Sequence, residues 1–300
     1  MPDPTSLTHQ HTPDVDFGAH AHELEQSAGV WSSVNARIAA ELPLPPGDGT
    51  GGGAVVADVG CGAGDMALLL AKRLRGTAGT GGRVLAIDRE PTLLQRVRER
   101  AEAAGLAGSV RTVLADLAEL PDAVPERVQL AWAGHVVHHA GDQAAAVAAL
   151  AGMLAPGGVL ALGEDGRRPR SLPWDVGVGR PGIEGRLDAA HDEWFGAMRA
   201  DLPGSVRDPR GWPAMLRAGG LVEVTARSWL LDRPPPLSAA DQHAVLHRLA
   251  GHVERAGRWL DAGDLAAWRR LLDPDDPAWL GHRDDLVVVA VETVYLGRRR

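Results

Sequence analysis

Val55-Val56-Ala57-Asp58-Val59-Gly60-Cys61-Gly62-Ala63-Gly64-Asp65 decides the fold of this 300-residue chain. An apolar run closes on an acid and a glycine-rich turn, and apolar residues resume at Met66-Ala67-Leu68-Leu69-Leu70. That order predicts a buried strand, a tight turn, and a helix for which Asp65 is a good N-cap. Gly60, Gly62 and Gly64 lack the Cβ that would hold a ligand away from the backbone. The helix that follows aims unpaired N–H groups and its positive end at the same spot. The turn suits a cofactor with a polar or anionic part. Its spacing, Asp-x-Gly-x-Gly-x-Gly, departs from the G-x-G-x-x-G of dinucleotide sites.

Working outward, strands and helices alternate. Strands are predicted at Ala54–Val59, Arg83–Ile87, Val110–Leu114, Val128–Ala133 and Val159–Gly163. Between them, a helix runs from Asp65 to Leu74. A second opens at Pro91, and a third, capped by Asp142, spans Gln143–Leu154 before Pro156-Gly157-Gly158. Such alternation implies right-handed crossovers and a parallel sheet. Ligands on these sheets sit at the carboxyl ends of the strands, where Gly60, Asp88, Asp116 and His135 fall.

Before this core, residues 1–19 are polar and read as mobile. His20–Leu42 has a helical pattern with Leu24, Ala28, Trp31, Val34 and Ile38 on one face, and a Pro/Gly-rich linker runs from Leu42 to Gly53. After Glu164, residues 166–183 read as a loop. Helices follow at 183–202 and 212–218, a strand at 221–231, helices from Ser238 to about Leu260 and from Gly263 to Leu272, and a last strand at 286–296. The fold class is α/β, a doubly wound, mostly parallel seven-stranded sheet with helical lid insertions. The division expected is a helical cap and linker (1–50), a cofactor-binding core (51–165), a helical lid insertion (166–220), and C-terminal strands (221–300) with a helical insertion at 232–284.

The composition narrows the function. An apolar fraction of 45% supports a sizeable core, and the net charge is −8 with Lys72 the only lysine. No long basic run precedes Arg298-Arg299-Arg300, so nucleic acid is not the expected partner. The single cysteine, Cys61, excludes an internal disulfide. With no charged leader before an apolar stretch and no apolar run of bilayer length, a cytoplasmic protein that does not meet a membrane is expected. Eight of the nine tryptophans lie outside the central region, Trp132 being the exception. They read as packing for peripheral helices, with one or two suited to a flat organic substrate or a homodimer contact.

Down the chain, the motifs resemble those of the class I S-adenosylmethionine-dependent methyltransferases, well over residues 54–165 and more loosely beyond. Asp58, Gly60, Cys61, Gly62 and Gly64 form the first signature. The resemblance places Asp88, with Arg89 beside it, on the ribose hydroxyls, and Asp116 with Leu117 at the adenine. Ala133-Gly134-His135-Val136-Val137-His138-His139 is similar to the family's segment beside the methionine part. Leu154-Ala155-Pro156-Gly157-Gly158 matches the turn before the fifth strand. The look is closest to small-molecule enzymes of quinone and natural-product biosynthesis. It implies a Rossmann-like methyltransferase fold, S-adenosyl-L-methionine as cofactor, and methylation of an oxygen, nitrogen or carbon of a small organic molecule. A peptide or protein acceptor is the runner-up, and a non-catalytic cofactor-binding regulatory subunit is a further alternative. Taken singly, Asp88 and Asp116 also read as turn formers and Cys61 as a small apolar filler.

A sulfonium methyl is already activated, so the protein has mainly to align a nucleophile behind it. Where the nucleophile arrives protonated, His135, His138 and His139 are the base candidates. His191, Asp192 and Glu193 form a second cluster, and Arg167, Arg168, Arg170 and Arg180 are suited to an acidic group. Histidines also cluster as metal ligands do: His135/His138/His139, the i, i+4 pair His243/His247, and His20/His22. None has a further ligand at motif spacing, so no metal is expected.

Overall fold

The computed structural model describes residues 17–44, 53–76, 81–164 and 166–300. The polar start, residues 1–16, and linker residues 45–52 lie outside them, as do the side chains of His20, His22, Leu24 and Ala28.

The chain divides into two compact units. The first comprises residues 1–166, 202–229 and 292–300. It holds α1 (Phe17–Glu41), β1 (Val55–Val59), α2 (Asp65–Gly76), β2 (Arg83–Asp88), α3 (Pro91–Ala103), β3 (Val110–Leu114), α4 (Leu120–Ala123), β4 (Val128–Gly134), α5 (Gln143–Gly152), and β5 (Leu154–Gly163). β1 pairs in parallel with β2 and β4, β2 with β3, and β4 with β5. β1 is buried at all five positions, as expected of a central strand covered on both faces. The core of this unit joins Val55, Ala57 and Val59 to Leu85, Ile87, Leu130's neighbour Ala131, Leu160, Leu162 and, from α5, Val147 and Leu150. α7 (Trp212–Ala218) closes it with Trp212, Met215 and Leu216.

The second unit comprises residues 167–201 and 230–291. It holds β6 (Arg167–Arg170), α6 (Ile183–Ala200), α8 (Ala239–Ala256) and α9 (Ala262–Leu272). Ile183, Leu187, Val245, Leu249, Trp268 and Leu271 are buried. Two long strands, β7 (Leu221–Arg233) and β8 (Val288–Arg299), belong partly to each unit. The stretches expected as insertions, 166–220 and 232–284, fall to the second unit as 167–201 and 230–291, while 202–220 goes with the first.

Among the described residues eight strands, not seven, form the sheet, in the order β3-β2-β1-β4-β5-β8-β6 with β7 also paired to β8. The extra strand is β6, in a stretch read from sequence as loop. Its residues, Arg-Arg-Pro-Arg, have no strand-like alternation, and it exists through pairing of Arg167 with Val291 and Arg170 with Val289. A second correction concerns Asp65. α2 begins at this residue, the Leu68 N–H bonds to the Gly64 carbonyl, and the Asp65 carboxylate pairs with Arg100. Gly64, at φ +87°, is the residue that caps the helix. Asp142 and Ser238 do cap as predicted, accepting from the Ala145 and Asp241 N–H groups.

Candidate functional site

In the first unit, the carboxyl ends of β1, β2 and β4 open onto a cavity of about 520 Å³. Its floor is the glycine turn. Gly60, Gly62 and Gly64 all take positive φ, at +67°, +52° and +87°. A Cβ on Gly60 would lie 2.2 Å from Val136 Cγ2, and one on Gly64 2.8 Å from Val97 Cγ2. The turn therefore needs glycine both for its conformation and for the close approach of its neighbours. The Gly60 and Cys61 N–H groups bond to the Ile87 carbonyl at 2.8 and 3.0 Å, tying the turn to β2. Cys61 is buried, and burial, followed by the nearby Asp58 and Asp88 charges, pushes its thiol well above the usual range. That environment makes it a filler rather than a nucleophile.

Asp58 ends up buried at 2% exposure on the cavity wall. Its Oδ2 has no partner. Burial raises it to about 7 against the pull of the Ala67 N–H, with Asp88 and Asp65 adding to the rise. An uncompensated buried carboxylate oxygen in a cavity wall is unfavourable unless a donor or cation arrives there.

Asp88, at the tip of β2, accepts from the Gly62 and Glu90 N–H groups. It thereby serves as turn former and also lines the cavity. Arg89 lies beside it, 3.9 Å from Asp116. Asp116 caps a short 3-10 turn in a reciprocal capping box with Glu119. With Leu117 it too reaches the cavity.

The β4 end is built by sheet register. Parallel pairing sets Gly134 opposite Gly163, and antiparallel pairing sets Gly163 opposite Val294. The residues beyond, His135, Glu164 and Glu292, meet as a result. The Trp132 indole lies across both glycines; a Cβ on Gly134 would sit 2.7 Å from it and one on Gly163 2.9 Å. Glu164 is buried and accepts with Oε1 from the Val136, Val137 and His138 N–H groups. Its Oε2 meets His138 Nδ1 at 2.7 Å. His135 takes an unusual φ of +57°. Its ring bonds to Glu292 Oε2 at 3.1 Å, and 61% of its side-chain surface is open. Loss of water around the ring opposes its charge, but the bond to Glu292 and the fields of Glu292 and Glu164 prevail and raise it to about 9. Glu292 is 4% exposed, and its Oε1 has no partner.

The structure thus brings Asp58, Gly60, Cys61, Gly62, Asp88, Arg89, Asp116, Leu117, Gly134, His135 and His139 to one cavity. Gly64 lies just behind, at the helix start. His138 is withdrawn from the lining and packs 4.0 Å from His139, ring centre to ring centre. Sequence reasoning missed Glu292, Asn35 and Glu90, which also line the cavity. Trp31 and Trp132 are the two tryptophans found there. Neighbourhood in sequence gives no signal for Glu292, which is 157 residues from His135; a lone acid in an apolar strand is the only hint.

None of the other candidates is among the residues that line this cavity. In the second unit Arg168 and Arg170 pair with Asp192 and Asp188, and Arg180 pairs with Asp261 and Asp264. His191 packs against His252 with the rings tilted and their centroids 4.4 Å apart. His243 and His247 are both exposed on α8.

Residues 56–158 match the family described as "Methyltransferase domain". A trans-aconitate 2-methyltransferase of Methylobacterium radiotolerans is 33% identical over 142 residues, covering 43% of this chain and 49% of that protein. A ubiquinone biosynthesis O-methyltransferase of Methylococcus capsulatus is 28% identical over 144 residues, covering 48% and 57%. The chain thus spans about half the length of the curated relatives it matches. Among solved structures, a SAM-dependent methyltransferase of Thiobacillus denitrificans in complex with S-adenosyl-L-homocysteine superposes with a TM-score of 0.42 and 22% identity, over 97% of this chain and 95% of that one.

Proposed function

We propose that the protein, in which residues 56–158 match a methyltransferase domain, transfers a methyl group from S-adenosylmethionine to a nucleophilic atom of a small organic molecule. One observation carries this reading: the partnerless Asp58 Oδ2, buried in the wall of a cavity whose floor is the glycine turn. A cationic amino-acid ammonium supplies the charge that this oxygen lacks. Backbone N–H groups at the start of α2 suit the methionine carboxylate. Asp88, with Arg89 beside it, takes the ribose hydroxyls, and Asp116 with Leu117 takes the adenine. Gly134 leaves room beside the methionine part. His135 and His139, open on the cavity, face the acceptor, and His138 positions their segment through Glu164.

The chemistry asked of the protein is alignment. The sulfonium supplies an activated methyl, and holding a nucleophile in line behind it provides much of the rate. A small acceptor fits better than an acidic peptide, because three of the four arginines considered for that role are already paired with aspartates. The acidic net charge argues for a partner other than nucleic acid. No helix of the described residues is long and apolar enough to cross a membrane. A cytoplasmic setting follows as part of the same proposal. The exposed indole of Trp174 is the surface a homodimer would use.

Calorimetry with S-adenosylhomocysteine, followed by methyl transfer to a panel of hydroxyl, amine and carboxylate acceptors, tests the reading. Absence of heat ends it, and binding without transfer to any small or peptide acceptor favours a regulatory role.

A further inference from the structure

We propose that His135, His138, Glu164 and Glu292 form a binding site for one divalent first-row transition-metal ion in the cavity wall at the carboxyl end of β4. His135 Nε2, His138 Nδ1 and a carboxylate oxygen of Glu164 all lie within 4.8 Å of one another. Glu292 Oε2 lies 3.1 Å from His135 Nε2. Metal–ligand bonds of about 2.1 Å place neighbouring ligand atoms about 3–4 Å apart, so an inward shift brings the His135, His138 and Glu164 atoms to ligating distance, and Glu292 joins them through His135.

Two features separate this group from an ordinary pair of hydrogen-bonded histidines. The first is Glu292 Oε1. This residue is 4% exposed and its second oxygen finds no donor, although it lines the same cavity wall as His135. A buried carboxylate half-used in this way lacks positive charge on that side. The second is the preparation of Glu164. Three backbone N–H groups hold its Oε1 and so turn Oε2 toward the histidines. Outer-shell hydrogen bonds of this kind orient a ligating carboxylate.

The donor set narrows the ion. Two imidazoles and two carboxylates suit Zn²⁺, Co²⁺, Mn²⁺ or Fe²⁺ better than the all-oxygen preference of Ca²⁺ or Mg²⁺. His135 and Glu292 border the cavity, so coordination positions remain open on that side. On the methyl-transfer reading, from which this role follows, an ion there holds the acceptor's oxygen and eases its ionisation.

The test uses the full chain stripped with a chelator and titrated with Co²⁺ by visible absorption. The wild type should bind about one equivalent with a d–d band, and both His138→Ala and Glu292→Gln should weaken it by about 100-fold. A urea midpoint close to that of the wild type shows that each variant is folded. No band in the wild type overturns the proposal. So does a band unchanged in both variants, which places the ion elsewhere, as on the N-terminal His9, His11, His20 and His22. Nucleoside heat without cobalt binding removes only the metal site, whereas cobalt binding without nucleoside heat removes only the methyl-transfer reading.

Discussion

The Asp88 carboxylate accepts the Gly62 N–H at 2.9 Å across 26 residues of sequence. Its other oxygen takes the Glu90 N–H at 3.0 Å. One side chain therefore fixes the shape of the glycine turn and presents its remaining lone pairs to the cavity. Asp88→Ala should weaken S-adenosylhomocysteine binding by about 1–3 kcal/mol, roughly 5- to 150-fold. Asp88→Asn, which keeps one acceptor oxygen, should lose less. A dissociation constant unchanged in Asp88→Ala would remove the ribose role.

Gly60→Ala meets two obstacles at once, a φ of +67° and the Val136 methyl at 2.2 Å. The backbone strain alone costs about 1–3 kcal/mol. The variant should show a lower urea midpoint and little cofactor binding. Val136→Ala removes both methyls and leaves only its Cβ, at 3.2 Å, so the double variant should be more stable than the sum of the single losses predicts. Simple additivity would show that the two residues do not collide.

Asp58 gives a pH signature. Its pKa in the folded protein is raised from 3.8 to about 7 by burial. The folded state then holds a proton that the unfolded state has released, so this residue's contribution to stability falls as pH rises from about 4 to 7. Asp58→Asn should flatten that fall and raise the urea midpoint above pH 7. Cofactor affinity should move the other way. The carboxylate that meets the ammonium forms only as pH rises through about 7, so wild-type affinity should drop below pH 7 and the Asn variant should bind weakly throughout. Equal pH profiles for both proteins would count against the ammonium contact.

Acid sensitivity should also arise in the second unit. His191 and His252 pack ring against ring with their Nδ1 atoms buried and without partners. Burial, with Arg168 and Arg255 adding to it, lowers His191 to about 4. Burial, then His191 and nearby arginines, lowers His252 to about 2. Both rings stay neutral in the fold, whereas the unfolded chain takes up protons near 6.5. Stability present above that value is lost as pH falls below it. His252→Gln should reduce the loss of midpoint between pH 7 and 5 by chemical denaturation. A slope as steep as that of the wild type would place the acid sensitivity elsewhere.

Much of the cavity lining is legible in the sequence because local spacing encodes it. A glycine that must adopt positive φ, an acid at a strand tip and a cap before a helix all leave their mark within a few residues. Asp58, Asp88 and Asp116 carry such marks, and all three line the cavity. β6 escaped because Arg167–Arg170 has no alternation of its own and is strand only through β8. Asp65 was read as a cap because caps and first-turn acids share residue types, and the Arg100 contact that distinguishes them lies 35 residues away.

By itself, then, the amino-acid order determined the alternating strands and helices, the glycine turn and the acids beside it. Each depends on backbone conformation and periodicity within one element. Only the tertiary structure decided that Glu292 reaches His135, that Glu164 holds His138, and that Trp31 and Trp132 border the cavity. Those meetings are fixed by the register of β4 against β5 and of β5 against β8, and by the packing of α1. Such alignments join distant segments, and no short stretch of the chain specifies them.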